Sequence, residues 1–201
     1  MPNWCMNGLT LTHSDPAMID RVIKGKDGLL QEFIPCPQDL IDTMSGSYGD
    51  DDKQAALEAR QAANREKYGY ATWYDHNVAE WGTKWDFSAD SIEQVDANTV
   101  QMSFDSAWAP PLNAYHKLMA LGFEVEATYY EPGMAYCGRW DNGHDDYYEY
   151  GGMTADEIEA HLPKELDEEY GISQAVSEWE QEQEEENMDI DLDGGVSATN
   201  E

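Results

Sequence analysis

The sequence has few positive charges. Its 201 residues contain 11 Lys and Arg against 42 Asp and Glu, which gives a formal net charge of −31 at neutral pH. A surplus of this size repels the phosphates of nucleic acids and the headgroups of anionic membranes, and it attracts basic protein surfaces. We therefore expect no direct binding to nucleic acid or to a membrane, and we expect a basic protein as the partner.

Paired cysteines and long apolar segments are also lacking. Cys5, Cys36 and Cys137 stand far apart, without a CxxC pair, so a disulfide framework is not expected and we interpret the three thiols as buried small hydrophobic residues. The N-terminus does not have the pattern of a signal peptide, and no stretch approaches the roughly 18 apolar residues of a membrane-spanning helix. These features predict a soluble protein of the reducing cytoplasm.

The sequence also lacks the common motifs of catalysis and metal binding. The sequence has five histidines, which are His13, His76, His116, His144 and His161. They form no HExxH motif, and the chain has no glycine-rich phosphate loop, so we expect no enzyme activity and no cofactor. Two metal sites remain as alternatives: a Cys₃His zinc site built from distant residues, and a divalent-ion site at Asp189, Asp191 and Asp193. These three residues match only the first half of an EF-hand loop, and we interpret them as part of a solvated acidic tail.

The acidic residues that are present concentrate towards one end of the chain. Residues 141–201 contain 21 Asp and Glu and a single base, Lys164. Thr154 and Glu157 match a capping box and predict a short helix that ends at Pro163. We therefore predict a folded domain over residues 1–140, an acidic and partly helical extension over 141–180, and a disordered acidic tail over 181–201.

Hydrophobic periodicity predicts both strands and helices in residues 1–140. Strands are predicted at residues 3–12, 85–95, 99–105, 123–130 and 134–140, and helices at 16–24, 51–67, 72–81 and 111–121. Residues 38–50 are predicted to form a loop. Without a helical insertion at about 38–82, this order is the split βαβ of a ferredoxin-like fold, an antiparallel sheet with two helices on one face. The fold class is therefore α+β.

Five short motifs follow one another in this part of the chain. They are Met1-Pro2-Asn3-Trp4-Cys5, Phe33-Ile34-Pro35-Cys36-Pro37, Trp81-Gly82-Thr83-Lys84-Trp85-Asp86, Trp108-Ala109-Pro110-Pro111 and Tyr130-Glu131-Pro132-Gly133. As a set they resemble the YubB-like family of phage and plasmid proteins, which carry a ferredoxin-like domain. The resemblance covers roughly residues 1–140, and it implies the fold argued above and an origin on a mobile element. It implies no catalytic residues.

Charge and resemblance together predict a non-enzymatic accessory protein. We expect it to bind a basic host protein, with the carboxylates imitating the phosphates of DNA and inhibiting a host defence or nucleic-acid enzyme. The predicted partner-binding residues are the acidic side chains that capped helices and the preceding segment would hold in place. They are Asp145, Asp146, Glu149, Asp156, Glu157, Glu159, Glu165, Asp167, Glu168 and Glu169.

Two other functions are compatible with the pattern. A ferredoxin-like sheet can stack nucleic-acid bases on aromatic residues, although no basic stripe accompanies the aromatics here, and the chain can alternatively be a small-molecule or nucleotide-binding protein. Trp81 and Trp85 form either a ligand platform or anchors that hold the insertion to the sheet. We favour anchors, with Lys84 paired to a nearby acid.

Overall fold

An antiparallel six-stranded sheet forms the centre of the first part of the chain. The computed structural model describes the backbone of residues 3–194 and the side chains of residues 3–185. The strands are β1 (Trp4–Thr12), β2 (Ser91–Gln94), β3 (Thr99–Ala107), β4 (Glu124–Glu131), β5 (Tyr136–Asp141) and β6 (His144–Glu149). Their order in the sheet is β2-β3-β1-β4-β5-β6, and β1 pairs antiparallel with both β3 and β4. The α+β class predicted from the sequence is confirmed.

Nine helices lie within the described residues. They are α1 (Pro16–Lys24), α2 (Leu29–Phe33), α3 (Gln38–Ile41), α4 (Asp51–Tyr68), α5 (Trp73–Glu80), α6 (Leu112–Ala120), α7 (Ala155–His161), α8 (Lys164–Tyr170) and α9 (Ile172–Gly194). The side chains of Asp15, Asp50 and Thr72 cap α1, α4 and α5 by accepting from backbone N–H groups of the first turn, which is why these helices begin where they do. The chain divides into two compact units, Met1–Tyr147 and Tyr148–Glu201, whereas the sequence pattern places the boundary after residue 140.

The main hydrophobic core lies on one face of the sheet. Leu9 and Leu11 of β1 belong to one buried cluster with Ile19 and Val22 of α1 and Leu118 of α6. Each such side chain contributes about 1.5–3 kcal/mol on burial. The period of two along β1 and the helical spacing in α1 and α6 therefore orient the same apolar residues that the sequence pattern singles out.

The strand predicted at residues 85–95 is wrong for its first half, because only Ser91–Gln94 form β2. The carboxylate of Asp86 accepts hydrogen bonds from the backbone N–H groups of Leu30 (3.0 Å) and Gln31 (2.7 Å), at the first turn of α2. Phe87 stacks on Phe104 of β3 with ring centroids 3.5 Å apart. Asp86 and Phe87 are thus held by these hydrogen bonds and by stacking, and not by strand pairing.

The predicted loop over residues 38–50 is also partly wrong, since it contains α3, and α2 was not predicted at all. Both helices are shorter than two turns, too short to show a helical period. The predicted surface helix is confirmed as α4, in which Leu57 and Asn64 are buried. Asn64 Nδ2 donates to Thr43 Oγ1 (2.9 Å) and to the carbonyl of Ala71 (3.0 Å), so an amide rather than an apolar stripe connects this helix to its neighbours.

Three helices form the described part of the second unit. The capping box of Thr154 and Glu157 is present at the start of α7. Pro163 does end that helix, but it also precedes the first residue of α8, a helix that the sequence pattern did not predict. The buried apolar residues of this unit include Tyr150, Ile158, Leu162, Leu166 and Ile172. Residues 181–194, which the sequence pattern assigns to a disordered acidic tail, belong to α9 in the structure; residues 195–201 lie outside the described part.

The three cysteines are buried, as their interpretation as small hydrophobic residues predicts. Burial raises the pKa of the Cys5 thiol to about 12 and that of Cys36 to about 11, so neither thiol is ionised at neutral pH. Across residues 3–194, no helix has both the length and the apolar character needed to cross a membrane. No cluster of metal-ligating side chains occurs among the residues whose side chains the structure describes.

Candidate functional site

Nine of the ten predicted partner-binding carboxylates are exposed, and Asp167 is the exception. Asp167 is 9% exposed, and its two oxygens accept from the backbone N–H (2.7 Å) and the hydroxyl (2.6 Å) of Ser173 at the start of α9. A carboxylate in this position satisfies the free N–H groups of a helix terminus and interacts favourably with its dipole. Asp167 is therefore a structural residue and is removed from the predicted binding set.

The predicted set is divided between the two units. Asp145 and Asp146 belong to the first unit, and the others belong to the second. Within the second unit, Glu157 accepts from the backbone N–H of Thr154, and Glu168 lies 3.3 Å from the ammonium of Lys164. These local bonds fix the directions of the two carboxylates while both residues stay exposed.

A further group of carboxylates lies on α9, where the sequence pattern predicted no ordered surface beyond residue 180. Its members within the described side chains are Glu178, Glu180, Glu182, Glu184 and Glu185, of which Glu180 is half-buried and the others are exposed. Eight residues of α-helix span about 12 Å, so the five carboxylates, counted around the whole helix, amount to one negative charge per roughly 2.4 Å of helix axis. By helical spacing, Glu178, Glu182 and Glu185 lie on one side of α9, and Glu180 and Glu184 lie on the other. Duplex DNA carries one per roughly 1.7 Å with both strands counted.

The first unit contains a different site, where the core face of the sheet becomes polar. Asn7 of β1 lies opposite Tyr129 of β4, and Tyr129 lies opposite Gly138 of β5. The Tyr129 hydroxyl passes over Gly138 and donates to Asp145 Oδ1 at 2.7 Å. A Cβ at position 138 would stand 2.2 Å from that hydroxyl, so only glycine lets the ring cross β5. Burial, and next the hydrogen bond to Asp145, raise the pKa of Tyr129.

A cavity of about 350 Å³ opens beside this tyrosine. Its lining combines three tyrosines with apolar side chains and two polar ones: Val78, Gly82, Ala109, Pro110, Leu112, Asn113, Tyr129, Tyr136, Asp145 and Tyr147. Tyr136 donates to the carbonyl of Trp108 at 2.7 Å, and burial raises its pKa. The cavity therefore has neutral aromatic walls and one carboxylate.

Two buried oxygens near the same strand ends have no hydrogen-bond partner among the described residues: Oδ1 of Asn7 and Oε1 of Glu131. The amide of Asn7 donates to the carbonyls of Cys5 and Phe104 and to the hydroxyl of Ser106. Glu131 is 1% exposed, and its other oxygen accepts from the backbone N–H of Met134. Unsatisfied buried polar atoms cost about 1–3 kcal/mol each, so Asn7 and Glu131 are packed here at the expense of stability.

Trp4, Trp85 and Trp108 form an exposed group around Lys84, which we call the tryptophan patch. The ammonium of Lys84 lies 4.4 Å from the ring centroid of Trp85 and 5.0 Å from that of Trp108. Both distances are within the range of a cation–π interaction. The prediction that Lys84 pairs with an acid is therefore wrong, because its ammonium lies over two indole rings.

The backbone at Trp108 is strained, with φ at +69°, a left-handed conformation that is unusual for a bulky residue. Its N–H donates to the carbonyl of Asn3 at 2.9 Å, and its carbonyl accepts from Tyr136. By contrast, Trp81 is buried and donates through Nε1 to the carbonyl of Ile34 at 2.8 Å. Trp81 is thus an anchor as predicted, but Trp85 belongs to a surface patch.

Comparison with known proteins gives little. No protein-family model matches the chain, and no curated protein is significantly similar to it. Among solved structures, the chain is similar to the crystal structure of protein api92 from Yersinia pseudotuberculosis, which is assigned to the family model DUF1281. The two chains are 15% identical, with a TM-score of 0.41 over 76% of this chain and 99% of that one. A likeness this weak assigns neither a fold family nor a function.

Proposed function

We propose that this chain is a non-enzymatic accessory protein of a phage or plasmid that acts in the host cytoplasm. It binds a basic host protein on that protein's nucleic-acid-binding face and excludes the nucleic acid. The observation that carries the proposal is the group of carboxylates on α9, of which Glu178, Glu182 and Glu185 share one exposed side, together with the exposed acids of α7 and α8. Helices hold these charges at defined positions, so less conformational entropy is lost on binding than with a disordered tail.

The charge density of α9 supports imitation of DNA. One charge per roughly 2.4 Å of axis is within a factor of two of the charge density of the duplex. Lys164 is the single base among residues 148–194 of the second unit, so these carboxylates are nearly uncompensated. A surface of one sign steers association with a basic partner, and it makes that association sensitive to salt.

The finer classification of the first unit belongs to the same proposal. The strand order β2-β3-β1-β4, with α1 following β1 and α6 between β3 and β4, is the order of a split βαβ. Strands β5 and β6 extend that sheet on one side. This order supports a ferredoxin-like fold, which is the fold that the resemblance to the YubB-like family implies.

The test is the salt dependence of binding to purified host nucleic-acid-binding proteins that the full chain captures from a host lysate. We expect the logarithm of the affinity to fall linearly with the logarithm of the salt concentration, and we expect duplex DNA to compete with the chain. Replacing Glu178, Glu182 and Glu185 by Gln removes three exposed charges of α9. This variant should bind about 10-fold more weakly or worse.

The matched control removes three exposed charges from the first unit, through Glu58→Gln, Glu66→Gln and Glu93→Gln. Its affinity should change by less than about 2-fold. Affinity that stays flat with salt, or equal losses in the two triple variants, would contradict a binding role for α9.

A further inference from the structure

The 350 Å³ cavity of the first unit has the chemistry of a binding site for a cation. Its volume lies near the lower end of the range for ligand sites, roughly 300–1,000 Å³. A space of this size takes one compact group rather than a length of peptide. The described lining residues include one carboxylate, Asp145, and no Lys, Arg or His, so the only charge that faces the cavity is negative.

Three tyrosine rings supply its aromatic walls. The ring centroids of Tyr136 and Tyr147 are 5.3 Å apart with the planes inclined by 35°, and those of Tyr129 and Tyr136 are 6.2 Å apart. The hydroxyls of Tyr129 and Tyr136 already donate within the protein. These two tyrosines therefore offer a ligand mainly the negative faces of their rings, to which cations are attracted.

Asp145 is held in place before any ligand arrives. Its Oδ1 accepts from Tyr129, whose ring is fixed by burial and by the gap over Gly138. An ionised carboxylate has about four acceptor positions, and the Tyr129 hydroxyl occupies one of them. The remaining positions can accept a forked pair of N–H donors, which is the geometry that a guanidinium group presents.

We propose that this cavity binds a guanidinium group, stacked against the rings of Tyr136 and Tyr147 and hydrogen-bonded to Asp145. A planar guanidinium can make both contacts at once, whereas an ammonium is a point charge that does not stack. The group comes from an arginine side chain of a protein partner or from a free small molecule. The first of these sources rests on the function proposed above, because basic nucleic-acid-binding faces are rich in arginine.

The test uses the full chain, labelled with ¹⁵N, and titrates it with N-acetyl-L-arginine amide. We expect saturable shifts at the amides of Asn113, Asp145 and Tyr147, with a dissociation constant in the millimolar range that suits one ion pair and one stacked cation. N-acetyl-L-citrulline amide has nearly the same shape without the charge and should cause no saturable shift. Equal binding of the citrulline compound would overturn the proposal.

Two variants at neighbouring residues distinguish binding at this site from the general attraction of a cation to an acidic protein. Asp145→Asn removes the charge but keeps an acceptor for Tyr129, so the fold is retained and the affinity should fall about 5-fold or more. Asp146→Asn removes the same charge one residue away, at a side chain that pairs with His144, and should leave the affinity within about 2-fold of the original. Equal losses in both variants would overturn the site.

A third measurement identifies whether the guanidinium group comes from a protein or from a small molecule. Tighter binding of the peptide acetyl-Gly-Arg-Gly-amide than of free arginine supports a protein partner, and the reverse supports a small molecule. If neither compound binds, the site is refuted. The cavity variants leave α9 unchanged. A negative result in the arginine titration would therefore refute the cavity site alone, whereas an unchanged affinity of the α9 triple variant in the partner assay would refute the proposed function.

Discussion

At the residue scale, two neighbouring acidic side chains of the second unit have different roles. Asp167 and Glu168 are neighbours in α8 and carry the same charge, but Asp167 is buried against Ser173 and Glu168 is exposed beside Lys164. Composition alone cannot separate them. The difference arises because Asp167 lies on the side of α8 from which a short side chain reaches the first turn of α9.

We predict that Asp167→Ala lowers the free energy of unfolding by about 2 kcal/mol, since it removes two hydrogen bonds to a charged group and exposes the terminus of a helix. Urea denaturation followed by circular dichroism measures the change. Glu168→Ala is the control and should change the stability by less than about 0.5 kcal/mol. Similar effects of both substitutions would mean that Asp167 does not stabilise α9.

Tyr129 and Gly138 are a second case at this scale. Alternation places Tyr129 in a strand, and that prediction is confirmed by β4. The sequence does not reveal that the ring crosses β5 to reach Asp145, because the crossing depends on the register that sets Tyr129 opposite Gly138. The cavity therefore could not be found from periodicity, although its three tyrosines are visible in the sequence.

At the scale of elements, Glu80 links two helices of the first unit. It lies in α5, its carboxylate accepts from Lys117 of α6 and from the hydroxyl of Tyr70, and it is 23% exposed. The hydrogen bond from Lys117, followed by that from Tyr70, lowers the pKa of Glu80 below its ordinary value. The ionised form is therefore favoured in the folded chain.

This shift predicts how stability depends on pH. A lowered pKa in the folded chain stabilises it at pH values above the unfolded value, roughly 4.3 for Glu, and the contribution is lost as pH falls through the lower folded value. Glu80→Gln should therefore reduce the free energy of unfolding by about 1 kcal/mol at pH 7, and the difference from the unsubstituted chain should shrink below about pH 4.

Denaturation at several pH values measures this difference. Glu66→Gln, at an exposed position of α4, is the matched control and should give a small difference that does not vary with pH. A Glu80 difference that is the same at pH 3 and pH 7 would show that the pair with Lys117 is not a source of stability.

At the scale of the whole molecule, net charge dominates. A charge of −31 on 201 residues makes the compact state repel itself, and neighbouring carboxylates four residues apart, such as Glu178 and Glu182 in α9, oppose helix formation by a few tenths of a kcal/mol per pair. Folding therefore depends on the apolar cores of the two units to offset this repulsion.

Added salt should therefore stabilise the protein. Raising sodium chloride from about 10 mM to about 500 mM shortens the Debye length from about 30 Å to below 5 Å, and we expect the unfolding temperature to rise by several degrees. The triple variant of α9 with Gln at positions 178, 182 and 185 should show a smaller rise. A melting temperature that is independent of salt would contradict the claim that repulsion among the negative charges destabilises the folded protein.

The sequence by itself determined the α+β class, most of the longer elements, the burial of the cysteines and the acidic character of the second unit. These properties depend on composition and on periods of two and 3.6 residues, which are local. Only the tertiary structure decided which carboxylates are displayed. It also decided that Tyr129, Tyr136, Tyr147 and Asp145 line one cavity. These properties depend on strand register and on packing between residues distant in sequence, which no local pattern encodes.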